Sequence, residues 1–495
     1  MFEVAELGLA ISREEFAGRA PLLNLKLLEA QRALRSSRHT VLILLSGVDG
    51  AGKGALVARL HEWLDTKFIQ TSAFWNETDE ERLRPRYWRF WRAMPARGTI
   101  GIMFGSWYTA PLVERISGNI DEAEFERQLQ EINDYESLLR SDGVIIIKLW
   151  FHMAADIVQK QLAKDEKSHI KKLRISPYTK RFARYFGKFL QASQTAIRAT
   201  DNNESPWHVI EATDRYYRDL TAGQIVLDML TRQLEASAKP APVETKQKAV
   251  RINKSLQPTI LDSVNLAQQL DDASYERKLR KWLGELPKLA WAAHAQRKSV
   301  VVVFEGWDAA GKGSTIERVI RGIDPRLLKL ITTGVPSDEE IAHPYLWRFW
   351  RHIPMPGYFT LYDRSWYGRV LVERVDKLAT VDEWQRAYNE INLFEQQLTE
   401  HGIVVLKFWL HISPQEQLRR FEARENTPEK NHKLTEDDWR NRGKRKDYEL
   451  AVNDMVAHTS TDAAPWHLVA AEDKQFARIE VLKILSKTLK AALKK

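Results

Sequence analysis

The chain contains a long internal repeat. GVDGAGKG at 47–54 recurs as GWDAAGKG at 306–313, which sets Lys53 and Lys312 259 residues apart. The same offset carries WRFWR at 88–92 onto 347–351, EIN at 131–133 onto 390–392 and PWH at 206–208 onto 465–467. An offset that stays constant across about 160 positions requires two homologous domains aligned almost without gaps. At 495 residues the chain is also too long for one ordinary core, so length and repeat agree. The expected organisation is a first domain over 1–235, a linker over 236–258 and a second domain over 259–495. The linker stretch is rich in Pro, Lys and Ala and lacks apolar periodicity.

Each half follows one order of elements. A helical lead-in, YERKLRKWLGELPKLAWAAHAQ in the second half, precedes a β-branched run, SVVVVFEG or TVLILLSG, which meets the glycine-rich segment and then another helical stretch. Later come YFTLYD at 358–363 and GIVVLKFWLHI at 402–412, the latter matched by GVIIIKLWFHM at 143–153. Continuous apolar strands alternating with helices predict a parallel sheet covered on both faces, so the expected fold class is α/β, twice.

The glycine-rich segment matches G-x-x-x-x-G-K, a loop whose backbone N–H groups wrap phosphate at a helix N-terminus while the lysine reaches the outer phosphates. Gly306, Gly311, Lys312, Gly313 and Ser314 make up the expected phosphate-binding set. The pattern departs at Gly313 and Gly54, which stand where the magnesium-binding Ser/Thr belongs. A carboxylate must then do more, and Asp308 inside the loop is placed to hold Mg2+, because a hard cation on phosphate takes one or two carboxylates. Asp363 ends the next apolar strand, the Walker-B place for a second magnesium ligand. Arg364 and Arg369 follow closely, with guanidinium forks suited to phosphate oxygens. Within PYLWRFWRHIP at 344–354, Trp347 offers a stacking face for a purine and Arg348 and Arg351 offer cations for a nucleotide phosphate. Aromatic residues at that helical spacing equally suit a core position.

The two copies are not equivalent. TLYDRSWYGR at 360–369 becomes GIMFGSWYTA at 101–110, so Asp363, Arg364 and Arg369 give way to Phe104, Gly105 and Ala110 while Ser-Trp-Tyr is kept. The first half retains Gly47, Asp49, Gly52 and Lys53. Turnover is therefore expected in the second half alone. The first half gains basic charge instead, with net +9 over 160–198 against net +1 over the matching 419–457. That surplus makes Lys160, Lys171, Lys172, Lys180, Arg181 and Arg184 a candidate polyanion-docking surface.

Whole-chain composition narrows the class. No cysteine is present, which excludes disulfides, thiolate zinc and thiol catalysis. A net charge of +9 and a pI near 9.3 favour an anionic partner. No RNA-recognition, zinc-finger or helix-turn-helix signature accompanies that charge, so nucleic acid is not expected. No apolar run approaches the ~18 residues needed to cross a bilayer, and MFEVAELGLAISREEF does not read as a secretory signal. A cytoplasmic protein with no membrane partner is expected. The duplication resembles two partners of a homodimer joined covalently, and a homo-oligomer of the chain is a further expectation.

FEGWDAAGKGS, YLWRFWRHIPMPGYFTLYDRSWYGRVLVERV, EINLFEQQL, LKFWLHIS, RRFEAR and APWHLVAAEDKQFARI together resemble the polyphosphate kinase family 2, in order from about 275 to 490 and more weakly over 20–230. The resemblance implies a tandem duplication of a P-loop kinase domain, thymidylate kinase-like, three-layer α/β/α with a parallel sheet and a helical lid. It implies Asp308, Lys312, Asp363 and Arg364 as the catalytic set and Arg420, Arg424 and Lys433 on a basic lid. For the fused two-domain form it implies phosphoryl transfer from inorganic polyphosphate to AMP, giving ADP. The residues themselves fix a phosphate cradle better than what hangs from the phosphate. An ATP-dependent nucleotide kinase and transfer to nucleoside diphosphates stay open at this point.

Overall fold

A computed structural model of the protein describes residues 1–167, 185–238, 259–427 and 435–494. The chain divides into two compact units, each built around its own five-stranded parallel sheet. The first sheet comprises β1 (Thr40–Gly47), β2 (Ile69–Ala73), β3 (Ile100–Phe104), β4 (Val144–His152) and β5 (Trp207–Glu211) in the spatial order β2-β3-β1-β4-β5. The second comprises β6 (Val300–Gly306), β7 (Leu328–Thr332), β8 (Phe359–Asp363), β9 (Val404–His411) and β10 (Trp466–Ala470) in the matching order β7-β8-β6-β9-β10. All nine residues of β4 are buried, as are the first six of β6, which requires cover on both faces. The three-layer α/β/α arrangement read from the apolar runs is present in both units.

Helices Arg13–Arg35 and Arg215–Ala238 pack against each other in the first unit, as do Asp272–Ala295 and Lys474–Ala492 in the second. Arg215–Ala238 continues three residues into the stretch read as linker, and 239–258 lie outside the described residues. Among the described residues no helix is long and apolar enough to cross a membrane.

A buried polar cluster recurs in both units. Lys407 Nζ, fully buried on β9, donates to Glu395 Oε2 at 2.7 Å, Tyr367 OH at 2.9 Å and the Thr459 carbonyl at 2.6 Å. Trp366 Nε1 and Tyr367 OH both donate to Glu395 Oε1, at 3.0 and 2.7 Å. Lys148, Glu136, Tyr108, Trp107 and the Thr200 carbonyl repeat the arrangement in the first unit. Burial raises the Glu395 carboxyl and lowers the Lys407 ammonium, each opposed by the other's charge. A charge taken out of water persists only when paired and fully hydrogen-bonded, so Trp-Tyr is kept in both copies to satisfy one buried glutamate. The sequence signal was a lysine in the middle of each apolar strand, LKFW and IKLW.

Candidate active site

Register places the site. β6 pairs with β8 so that Phe304 lies opposite Asp363, two residues before the glycine-rich loop begins, and the Arg364 N–H donates to the Phe304 carbonyl at 3.1 Å. On the other side β6 pairs with β9, with Gly306 opposite Leu410. A Cβ on Gly306 would fall 2.6 Å from the Leu410 carbonyl oxygen, and its φ of 151° is one that L-residues rarely adopt, so only glycine lets the chain turn there. The helix Lys312–Arg321 then starts directly from the loop, with Gly311 as its N-cap residue.

Five charged groups gather around this turn. Lys312 Nζ folds back onto the Gly306 and Trp307 carbonyls at 2.7 and 3.2 Å. Burial holds its pKa down, opposed chiefly by Asp308, with Asp363 and Glu305 also close enough to act. Asp308 accepts from Arg364 Nη2 at 3.2 Å and from Asn441 Nδ2 at 3.0 Å, and Gln417 Nε2 holds its main-chain carbonyl at 3.2 Å. The Asp363 carboxylate takes no hydrogen bond from the described side chains or backbone, which leaves its oxygens available. Glu305, 5% exposed, accepts from Ser365 Oγ at 2.9 Å, and burial pushes its pKa up.

Arg364 has φ 63°, a left-handed conformation that costs a non-glycine residue about 1 kcal/mol or more. Gly105 takes the same conformation, φ 81°, at the matching place in the first unit. The second unit therefore carries a backbone penalty to present a guanidinium beside Asp308, and the first does not.

The remaining expected site residues are distributed as follows. Ser314 Oγ donates to the Gly311 carbonyl at 3.1 Å, and Gly313 is the second residue of the loop helix. Arg369 pairs with Glu373 at 2.8 Å. Arg420, buried in helix Pro414–Glu425, donates to the carbonyls of Ala309 at 2.9 Å, Ala471 at 2.7 Å and Glu472 at 2.8 Å, and to Glu416. Its guanidinium thus pins the phosphate loop to the end of β10. Arg424 lies in the last turn of that helix, and Lys433 lies outside the described residues. Arg348 donates to the Gly334 carbonyl at 3.3 Å, and the Arg351 guanidinium lies 4.6 Å from the centre of the Trp347 ring. Trp347 and Trp350 are buried, at 7% and 2% exposure, in the core position that their helical spacing also allowed.

Several residues of the cleft escaped the sequence reading. Glu305, Asn441, Arg445 and Tyr448 line it together with Asp308, Lys312 and Arg364. Arg445 lies 4.0 Å over the Trp307 ring and donates to the Ile412 carbonyl at 2.6 Å. Trp307 Nε1 donates to His411 Nδ1 at 3.0 Å, and burial brings the His411 pKa down to about 4, so this imidazole is a neutral acceptor. Glu305 had a readable signal, since Ser46 stands at its place in the other copy.

The donor set suits magnesium. Asp308 and Asp363 are hard oxygen donors beside the loop lysine, and among the described residues no three Asp, Glu or His side chains converge into a closed cage. Two carboxylates, with the other positions left to phosphate oxygens and water, is the arrangement magnesium favours over an all-protein cage.

The first unit differs at this same place. Lys53 Nζ folds onto the Gly47 and Val48 carbonyls at 3.0 and 2.6 Å, as Lys312 does. The Arg218 guanidinium, however, lies so close to Gly52 that a Cβ there would clash with it, and it pairs with Asp219 at 2.8 Å. Ala477 stands at the matching place in the second unit. The 168–184 part of the proposed docking surface, which includes Lys171, Lys172, Lys180, Arg181 and Arg184, lies outside the described residues; Lys160 pairs with Asp156 at 2.8 Å.

A parallel sheet whose central strand runs into a phosphate loop, beside a strand that can end in an aspartate, defines a P-loop phosphotransferase-type domain, present twice. The model of the family described as "Polyphosphate kinase 2 (PPK2)" matches residues 10–238 and again 269–495, and the chain belongs to that family. It is 42% identical over 498 residues to the "Polyphosphate:AMP phosphotransferase" of Pseudomonas aeruginosa, covering 100% of both chains. The protein of the same description from Pseudomonas syringae pv. tomato is 42% identical over 501 residues, with 99% of each covered. A crystal structure described as a putative polyphosphate kinase 2 from Pseudomonas aeruginosa superposes with a TM-score of 0.90 at 41% identity, covering 100% of both chains.

Proposed function

We propose that the second unit transfers a phosphoryl group from inorganic polyphosphate to AMP, giving ADP, with magnesium as its metal. The observation that carries this reading is the gathering of Asp308, Lys312, Asp363 and Arg364 at the end of β6 and β8 in that unit alone. Full-length relatives described as polyphosphate:AMP phosphotransferases support the choice of donor and acceptor.

Phosphoryl transfer needs alignment and charge neutralisation more than covalent help. The loop amides and Lys312 hold the phosphate being transferred; its ammonium exchanges the Gly306 and Trp307 carbonyls for phosphate oxygens. Asp308 and Asp363 would hold the metal, which when bound would supply neutralisation of phosphate charge. Arg364 stands beside Asp308 to meet equatorial oxygens, Arg420 steadies the loop through the Ala309 carbonyl, and Arg369 and Arg424 are the remaining candidate phosphate-side cations. Arg348 and Arg351 take the AMP phosphate, with Trp347 as the packed surface on which Arg351 rests. The attacking AMP oxygen is already anionic, so little general-base help is needed. The neutral His411 is accordingly left to its hydrogen bond with Trp307.

The test is chromatographic. Purified protein given AMP, polyphosphate and magnesium, with no nucleoside triphosphate, should form ADP. ADP formation only on adding ATP would replace the donor and defeat the reading.

A further inference from the structure

Beyond the phosphate loop, on the side of Arg420, the second unit carries a group of cations that the reaction as described does not use. Helix Lys474–Ala492 begins directly after the Ala471 and Glu472 carbonyls that Arg420 holds, and its first residue lies across the loop. Lys474 Cγ stands 4.0 Å, and Arg420 Nη1 3.9 Å, from where a Cβ on Gly311 would be. Lys474 has no hydrogen-bond or ion-pair partner among the described residues, and the buried Nε of Arg478, one turn further along, has none either. Arg419 flanks them from helix Pro414–Glu425, paired with Glu416 but 68% exposed. Lys474 keeps solvent access, yet partial burial of its ammonium, with Arg420, Arg478 and Arg419 adding like charge against the pull of Glu416, brings its pKa down to about 8. Lys474, Arg478, Arg419 and Arg420 outnumber the one acid paired among them, Glu416, and cations in excess raise one another's energy and relieve it by taking a polyanion.

We propose that Lys474, Arg478 and Arg419 form a distal anion subsite that holds the phosphates of the donor chain beyond those bound in the loop. The subsite rests on the reading of the donor as polyphosphate, and it deepens that reading. A donor with no base to grip gains affinity only through added charge contacts, and each phosphate past the loop meets this cluster next.

The first unit supports the assignment by contrast. Asp219 stands at the place of Arg478, and it is engaged by Arg218 at 2.8 Å and Arg59 at 3.4 Å. Arg215 and Lys160 stand at the places of Lys474 and Arg419, so the corner changes sign at Arg478 alone, where the first unit carries an acid held by its own ion pairs.

The experiment compares tripolyphosphate with long-chain polyphosphate as donors to AMP, using the full chain and the Lys474→Gln/Arg478→Gln double variant. The wild type should show a lower KM for the long chain. The double variant should lose about tenfold of that preference, equivalent to about 1.4 kcal/mol, and its long-chain KM should depend less steeply on salt. Lys474→Arg, which keeps the charge, should retain the preference and guards against misfolding in the double variant. An unchanged preference in an active double variant overturns the subsite alone. An equal rise in KM for both donors also overturns it, because the residues would then act at the reacting phosphates. A wild type that makes no ADP from polyphosphate sinks the subsite together with the reading of the donor.

Discussion

The two units share a sheet order, a phosphate loop and a buried lysine–glutamate–tyrosine–tryptophan cluster, and they part at a handful of side chains around one turn. Glu305, Asp363, Arg364 and Arg478 of the second unit stand opposite Ser46, Phe104, Gly105 and Asp219 of the first. What the units share is what makes the domain fold. What separates them is the charge gathered around the phosphate loop. The first unit keeps the scaffold and lacks the counterparts of Asp363 and Arg364.

The largest expected effect tests that separation directly. Asp363→Asn should lower the rate of ADP formation by about 10³-fold or more, the usual consequence of removing a charge-stabilising group at a reacting centre. Asp49→Asn in the first unit should leave the rate at the wild-type value. Comparable losses from the two variants would mean that both loops turn over, and the comparison would break.

The shared cluster gives the next largest effect, on stability. Lys407→Met leaves Glu395 buried without its cation and should destabilise the second unit by about 3–5 kcal/mol, and Lys148→Met should do the same to the first. Calorimetric or urea unfolding of the two variants reads this. A loss in one unit only would show that the cluster is structural on one side and serves something else on the other.

Arg364→Gly installs the first unit's residue at the strained position. Turnover should fall by about two orders of magnitude, while relief of the left-handed backbone raises stability by up to about 1 kcal/mol. A parallel fall in both would mean that the ion pair with Asp308 outweighs the strain. The smallest effect belongs to Arg218→Ala, which copies Ala477 and uncovers the loop at Gly52. In an Asp363→Asn background it should add a tripolyphosphate-dependent stabilisation of the first unit, below about 1 kcal/mol, visible as a shift of its melting transition. No shift would mean that the first loop is closed by more than Arg218.

Much of this was legible without coordinates. A constant offset revealed the duplication, apolar runs fixed the parallel sheets, and G-x-x-x-x-G-K with a strand-ending aspartate located Lys312, Asp308 and Asp363. Those signals are local: a strand, a turn and a helix start are written in consecutive residues. Trp347 shows where local signals stop, since its helical spacing suited a base-stacking face and a core position equally, and burial places it in the core.

Sequence by itself determined that the chain would form two like α/β domains and that only the later one has both the loop aspartate and the strand-ending aspartate. Tertiary structure alone decided the rest of the site. Asn441 reaches Asp308 from 133 residues away and Arg420 clasps a loop 111 residues behind it. Lys474 arrives at Gly311 from the last helix. The physical reason is that an isolated Asn, Arg or Lys on a helix has no pattern to announce it. Its role appears only when packing removes its other partners and brings it against a charge it was never near in the chain.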